Sequence, residues 1–222
     1  MRPETDKDEL ETFRQVNAVY PVSRETFERF DDFRGLLESW QKKTNLVAPE
    51  TLPQFWSRHV CDSLQCLSFF PDAECWVDLG SGAGFPGLII AAANRDHKNR
   101  QHHLVESNNK KCAFLRAAAR ALGANAKIHG NRIESVTEQL VSDNERVDVV
   151  TARALAPLRK LLDLSSGLLM QGAVGLFHKG RDFQREIEDC HGFWRFDLVI
   201  HNSCIEADSV LLEIRNPVRQ PS

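Results

Sequence analysis

The stretch with the most chemistry in it is Val77-Asp78-Leu79-Gly80-Ser81-Gly82-Ala83-Gly84-Phe85-Pro86-Gly87. Glycines at 80, 82 and 84 let the chain turn sharply and bring its backbone against a ligand with no Cβ in the way. An apolar strand-like run precedes the loop and an apolar helix-like run follows it. A helix N-terminus, with unpaired N–H groups and a partial positive charge, therefore arrives at the same place. Two ligands fit this pattern. Gly82-x-Gly84-x-x-Gly87, with Glu106 about 20 residues further on, matches the dinucleotide fingerprint. Asp78 followed by Gly80-x-Gly82-x-Gly84 matches the signature loop of adenosylmethionine-dependent methyltransferases. In both readings Glu106 accepts hydrogen bonds from ribose hydroxyls. Pro86 removes one N–H from the helix start, a loss for a pyrophosphate site and none for S-adenosylmethionine, which has no phosphate.

Other residues could work beside that loop. Arg153 and Lys179 fall at the ends of two later strand-like runs, a place from which a cation can reach a guanine O6 or a phosphate. His59 and Asp62 stand three apart on one side of a helix-like segment, either as a structural brace or as a cap over the cleft, and Arg58 next to them can meet phosphate. Arg132 and Glu134 are either a surface ion pair or part of the loop bordering an adenine. Lys110, Lys111, Arg116 and Arg120 run along one helix. They belong to a segment, Arg95 to Arg132, with nine basic side chains against Asp96 and Glu106. Such a patch suits a polyanion or a solvated helix face. A nicotinamide-dependent oxidoreductase would also need an acid/base pair such as Tyr-x-x-x-Lys, and the single tyrosine, Tyr20, lies in the leader.

These residues need elements to place them. Ser23 reads as the N-cap of a helix carrying Phe27, Phe30, Phe33, Leu37 and Trp40 at three- and four-residue steps. Asn45–Pro49 interrupts it. Thr51 and Pro53 open a second helix with Phe55, Trp56, Val60, Leu64 and Leu67 on its apolar side, ending near Pro71. From Glu74 short strands alternate with helices: strands at 75–79, 102–106, 126–129, 147–151 and 173–178, helices at 86–94, 108–122, 132–140 and 158–169. That alternation predicts a doubly wound, mostly parallel α/β sheet. A helix at 183–190 and runs at 196–201 and 209–215 add an edge hairpin. The division is an N-terminal helical extension over 1–72 and a ligand-binding domain over 73–222.

The chain has 222 residues, 42% hydrophobic and 27% charged, values that exclude bulk disorder. Its longest apolar run, Leu88–Ala93, is far short of the ~20 residues of a membrane span, and Met1–Leu10 lacks the apolar core of a secretory signal. The six cysteines have no C-x-x-C spacing and read as reduced thiols of a cytoplasmic protein. The net charge of −3 argues against a broadly basic nucleic-acid binder.

Several separated pieces resemble one family. Trp40-Gln-Lys-Lys-Thr-Asn45-Leu46, Arg58-His59-Val-Cys-Asp62-Ser63-Leu64, the loop 77–87, Asn131-Arg132-Ile133-Glu134, Ala152-Arg153-Ala154 and His178-Lys179-Gly180 occur in order. Together they are similar to the ribosomal RNA small-subunit methyltransferase G family, also called glucose-inhibited division protein B, over about residues 36–215. The resemblance implies a Rossmann-like class I methyltransferase fold, with seven strands and a helical leader. It implies methyl transfer from S-adenosylmethionine to N7 of one guanine in 16S rRNA. The modest overall charge points to a large preorganised target, the 30S subunit or an assembly intermediate, and a cytoplasmic monomer is the default expectation. Asp78, Gly80, Gly82, Gly84, Phe85, Glu106, Ile133, Glu134 and Arg153 are then the cofactor contacts. Arg153, Lys179 and His59 are the catalytic candidates, and Arg58, Lys110, Lys111, Arg132 and Lys179 the RNA contacts. His178 stands where the family commonly has an apolar residue. Residues 1–25 receive no role. Guanine N7 has an available lone pair, so the expected reaction needs alignment and neither a metal nor a nucleophilic side chain. A non-catalytic RNA module and the oxidoreductase remain the competing readings.

Overall fold

The computed structural model describes residues 3–221. Its leader holds α1 (Pro3–Val19) and α2 (Arg24–Gln41), a 3-10 turn over Pro49–Gln54, a π-helical segment over Phe55–Cys61, and α3 (Asp62–Phe69). The expected cap is present: the Ser23 hydroxyl accepts the Thr26 N–H at 3.1 Å. α1 covers residues to which the sequence assigned nothing, and its Phe13 meets Phe27 edge-on at 5.2 Å. The helix expected from Thr51 onward is divided into three geometries. Pro53 has no N–H to give a regular α-helical ladder, and the π-helical turn follows directly.

The remainder alternates as expected: β1 (Cys75–Leu79), α4 (Gly87–Ala93), β2 (Gln101–Val105), α5 (Asn109–Leu122), β3 (Lys127–His129), α6 (Ile133–Ser142), β4 (Val149–Arg153), α7 (Leu158–Met170), β5 (Val174–Lys179), α8 (Phe183–Glu188), β6 (Trp194–Asn202) and β7 (Val210–Arg219). The seven strands form one sheet in the order β3-β2-β1-β4-β5-β7-β6. β1 to β5 run parallel, and β7 pairs antiparallel with both β5 and β6. Strand order reverses between β1 and β4, the point beyond whose carboxyl ends such sheets hold ligands. β4 begins two residues later than its apolar run suggested. The Asp148 carboxylate ahead of it accepts the Glu74 and Cys75 N–H groups at 2.8 and 2.9 Å, so this residue ties the sheet floor together before pairing begins.

Two apolar layers flank the sheet. Phe27, Phe30, Phe33 and Leu37 of α2 share one cluster with Trp76, Leu88 and Phe114. Val136, Leu140, Leu161 and Leu168 of α6 and α7 share the other with Val77 and Val150. The leader therefore packs into the first layer. Phe33 sits 5.6 Å from Phe85 of the glycine loop, so the same aromatic stripe that builds the leader also fixes the loop. Among the described residues no helix is long and apolar enough to cross a membrane. All six cysteines are free, five buried and Cys204 exposed.

Candidate active site

β1 delivers the glycine loop to the strand-order reversal. Gly80 has φ +67, a conformation that favours glycine, and a Cβ there would press within 2.5 Å on the end of the Leu155 side chain. Gly82 takes the same left-handed backbone (φ +54), but the space beside it differs. A Cβ on it would meet nothing nearer than the Gly80 carbonyl at 3.7 Å and would project into open space. That space is a cleft of about 730 Å³ bordered by Gly80–Ala83, Phe85, Arg153, and Leu46–Ala48 of the leader. Leu46 to Ala48 form its lip because Gln41 clamps them: its Oε1 accepts the Leu46 and Val47 N–H groups and its Nε2 donates to the Val47 carbonyl at 2.7 Å.

Glu106, at the end of β2, accepts the Gly82 N–H at 3.2 Å and the Asn108 N–H at 2.7 Å. It braces the loop from behind and does not itself line the cleft. Ile133 and Glu134 begin α6 just past β3, and neither lines the cleft. Arg132 precedes them as N-cap and is exposed. Of the two readings of Arg132 and Glu134, the mutual ion pair is not formed; the Glu134 carboxylate lies 3.9 Å from Lys160. Asp78 does not border the cleft. It is buried beneath Gly87 and accepts the Thr151 hydroxyl at 2.8 Å, and its second oxygen has no partner. Burial pushes its carboxyl up to about 6, with the Thr151 bond acting in the opposite direction. The expected cofactor contact at Asp78 is corrected to a support under the loop. Gly84 likewise turns the chain (φ +93) against Leu88 beneath the loop.

Arg153 ends β4 with its guanidinium 5.2 Å from the Phe85 ring centroid. One Nη donates to the Arg58 carbonyl at 2.8 Å and to Asp62 at 3.0 Å, and the other donates to His59 Nδ1 at 3.0 Å. A guanidinium has no acceptor, so His59 Nδ1 must be the acceptor and the ring proton sits on Nε2. That N–H faces the Thr51 hydroxyl at 3.0 Å, and Thr51 in turn donates to the Ala48 carbonyl at 2.7 Å. One polar chain thus runs from the sheet to the leader lip. The His59 ring stacks on Phe85 at 4.6 Å. Burial first, then the adjacent Arg153 charge, drive its pKa down to about 3, so the ring is neutral. His59 and Asp62 do not bond each other, as their spacing suggested; both grip Arg153. His178, paired across from Arg153 on β5, supports Asp62 from below through a 3.1 Å contact to its carbonyl. Burial pushes this ring, too, below its ordinary pKa.

Lys179 departs from expectation. Its amine is buried, donating to Glu186 at 2.6 Å and to the Ala156 carbonyl at 2.7 Å. Glu186, from α8, was not visible as a partner in the sequence. Lys179 is therefore a tie under the 154–157 wall, and the free cation expected for catalysis and RNA contact is not there. Arg58 is half exposed and paired with Glu206 at 2.8 Å. Lys110 and Lys111 start α5 under the Asn108 cap, with Lys111 at the cleft edge. Thr51, Gln41 and Glu186 were missed as site residues. Each acts through a contact remote in sequence or through a side chain replacing backbone, and spacing carries neither signal.

A profile of the family described as rRNA small subunit methyltransferase G matches residues 26–210. The chain belongs to that family. Proteins named Ribosomal RNA small subunit methyltransferase G from Sinorhizobium fredii and Rhizobium meliloti are each 46% identical to it over 202 residues. Those matches take in 90% of this chain and 92% and 93% of theirs. Among solved structures, a putative O-methyltransferase from Klebsiella pneumoniae shares the fold with a TM-score of 0.59 at 11% identity, covering 91% of this chain and 94% of that one. A mutant of MtNAS in complex with S-adenosylmethionine aligns with a TM-score of 0.54 at 13% identity, covering 99% and 80%. The oxidoreductase reading of the glycines finds no support in these relatives.

Proposed function

We propose that this protein transfers a methyl group from S-adenosylmethionine to N7 of a guanine in 16S rRNA. The observation that carries the reading is the open glycine cradle at Gly82 facing a cleft roofed by Arg153 and Phe85. A ligand fills the space that a Cβ at Gly82 would take, with Glu106 beside it for the ribose and Ile133 and Glu134 for the adenine. S-adenosylmethionine bound there supplies an activated methyl on a sulfonium.

The side chains explain why the site needs no base. Guanine N7 already carries a lone pair, and neutral His59 has both nitrogens engaged, so it neither accepts nor delivers a proton. Its task, with Asp62 and the Arg58 carbonyl, is to hold Arg153. The bonds described use three of the five N–H groups of that guanidinium; the other two are left to point a guanine O6 or a phosphate into line. Held so, Arg153 orients the acceptor at no further cost in side-chain freedom, and well-oriented reactants gain several kcal/mol. Phe85 is buried under the His59 ring and the Arg153 guanidinium, so it supports this grip from beneath. The basic run at Lys110, Lys111, Arg116 and Arg120 contributes the phosphate contacts. With a net charge of only −3, this local patch suits a large preorganised target, the 30S subunit or an assembly intermediate. The protein acts there as a monomer in the cytoplasm.

Calorimetry with the purified chain tests the ligand: S-adenosylmethionine binds and NAD(H) does not. Mass mapping of 16S rRNA from cells with and without the protein tests the product. One 7-methylguanine disappears when the protein is absent. An unchanged map would overturn the reading.

A further inference from the structure

Cys75 opens β1, at the end opposite the glycine loop. In the parallel register Cys75 pairs with Gln101 and Val77 with His103, so Cys75 and His103 lie diagonally on one face of the sheet. Both are nearly inaccessible, at 5% and 4%. A third donor arrives from the turn after α6. Asn144 takes φ +52 there and the Glu145 N–H closes on the Leu140 carbonyl at 3.0 Å, which aims Glu145 back under the sheet. One ligating atom each from Cys75, His103 and Glu145 lies within 4.8 Å of the others. We propose that these three side chains bind one zinc ion, with water in the fourth position.

The donor set favours that ion. Thiolate, imidazole and carboxylate are the S, N and O ligands zinc takes, and the two anions neutralise its charge in a buried place. Around a tetrahedral zinc, ligand atoms stand about 3.5 Å apart, so the trio must draw in by ~1 Å. Half-buried Glu145 supplies that movement and leaves a path for the ion. The second coordination layer is already built. His129 Nε2 is 3.0 Å from His103 Nδ1 and fixes that nitrogen, so His103 ligates through Nε2, which gives up a long 3.5 Å contact with Gln101 Oε1. On binding, the thiol S–H bond breaks, a zinc–sulfur bond forms, and the proton leaves to bulk water. The sequence shows no zinc spacing because its ligands come from β1, β2 and the α6–β4 turn. The site lies ~13 Å along β1 from the cleft and is independent of the methyl-transfer reading. Its consequence is to pin three segments of the sheet floor.

The full chain, stripped with a chelator, is titrated with cobalt(II) and then zinc. The expected result is one equivalent of cobalt with a thiolate-to-cobalt charge-transfer band, displaced by zinc, and a thermal midpoint that rises with zinc. Cys204→Ser retains the band and Cys75→Ser loses it. His129→Ala weakens binding about 10-fold. Glu145→Gln, at a half-buried turn position that does not threaten folding, weakens it by at least about 10-fold. Absence of the band, its survival in Cys75→Ser, or undiminished affinity in Glu145→Gln overturns the proposal.

Discussion

Arg153 and Lys179 look alike in the sequence: each is a cation closing a parallel strand beside the same cleft. The fold gives them opposite surroundings. Arg153 is gripped from the leader by Asp62, His59 and the Arg58 carbonyl, yet its planar fork keeps two N–H groups to spare. Lys179 pairs its charge with Glu186 and donates a further N–H to the Ala156 carbonyl. Strand-end position therefore puts a cation near the site, and the neighbours decide whether it faces the substrate or the wall.

Substitutions separate the two roles. Arg153→Ala should lower methyl transfer by about 100-fold or more, the size of losing a preorganised donor, with the fold intact by circular dichroism. A smaller loss than Lys179→Ala causes would invert the comparison. Lys179→Ala should instead destabilise the chain by about 1–3 kcal/mol, because it strands the Glu186 carboxylate and the Ala156 carbonyl. Adding Glu186→Ala should recover part of that in a denaturant titration. An additive double mutant would mean that the pair is not coupled.

Thr51→Val tests the far end of the grip. It leaves the His59 Nε2–H without an acceptor, so kcat should fall about 10-fold, on the scale of one unsatisfied buried donor, with the KM for S-adenosylmethionine unchanged. Thr51→Ser should restore it. Equal rates in the wild type and Thr51→Val would remove Thr51 from the account.

Acid exposes the buried rings. His59, at about 3, and His102 and His129, each at about 4, stay neutral in the folded chain while their unfolded counterparts gain protons below about 6.5. The unfolded state then binds more protons, so stability falls as pH drops from about 6.5 towards about 4. Asp78, at about 6 when folded, works the other way between about 6 and 3.8. Three rings against one carboxyl leave a net loss. His59→Gln should flatten the decline in melting temperature; an unchanged slope would contradict the buried neutral ring. The smallest effect belongs to the exposed patch. Lys110→Ala with Lys111→Ala should weaken RNA binding modestly and reduce the salt slope by about 2.

Much of the fold is legible because period and punctuation act locally. Ser23 caps where expected, and every strand from β1 to β7 stands within a few residues of its apolar run. The glycine loop is legible for the same reason: strand, turn and helix are contiguous. The grip on Arg153 is not. It needs the π-helical turn at Phe55–Cys61, which rotates His59 and Asp62 away from α-helical neighbour positions, and it spans about ninety residues of chain. Asp78 misleads for a related reason. Its motif marks where the loop begins, while its side chain alternates to the face beneath the loop.

The most direct measurement is methyl transfer in vitro: purified protein, S-adenosylmethionine with a labelled methyl group, and small ribosomal subunits lacking the modification, read at nucleotide resolution. The account predicts label on N7 of a single 16S guanine, strongly reduced with Arg153→Ala. Label on another atom or nucleotide, or none with any form of the small-subunit RNA, would contradict it.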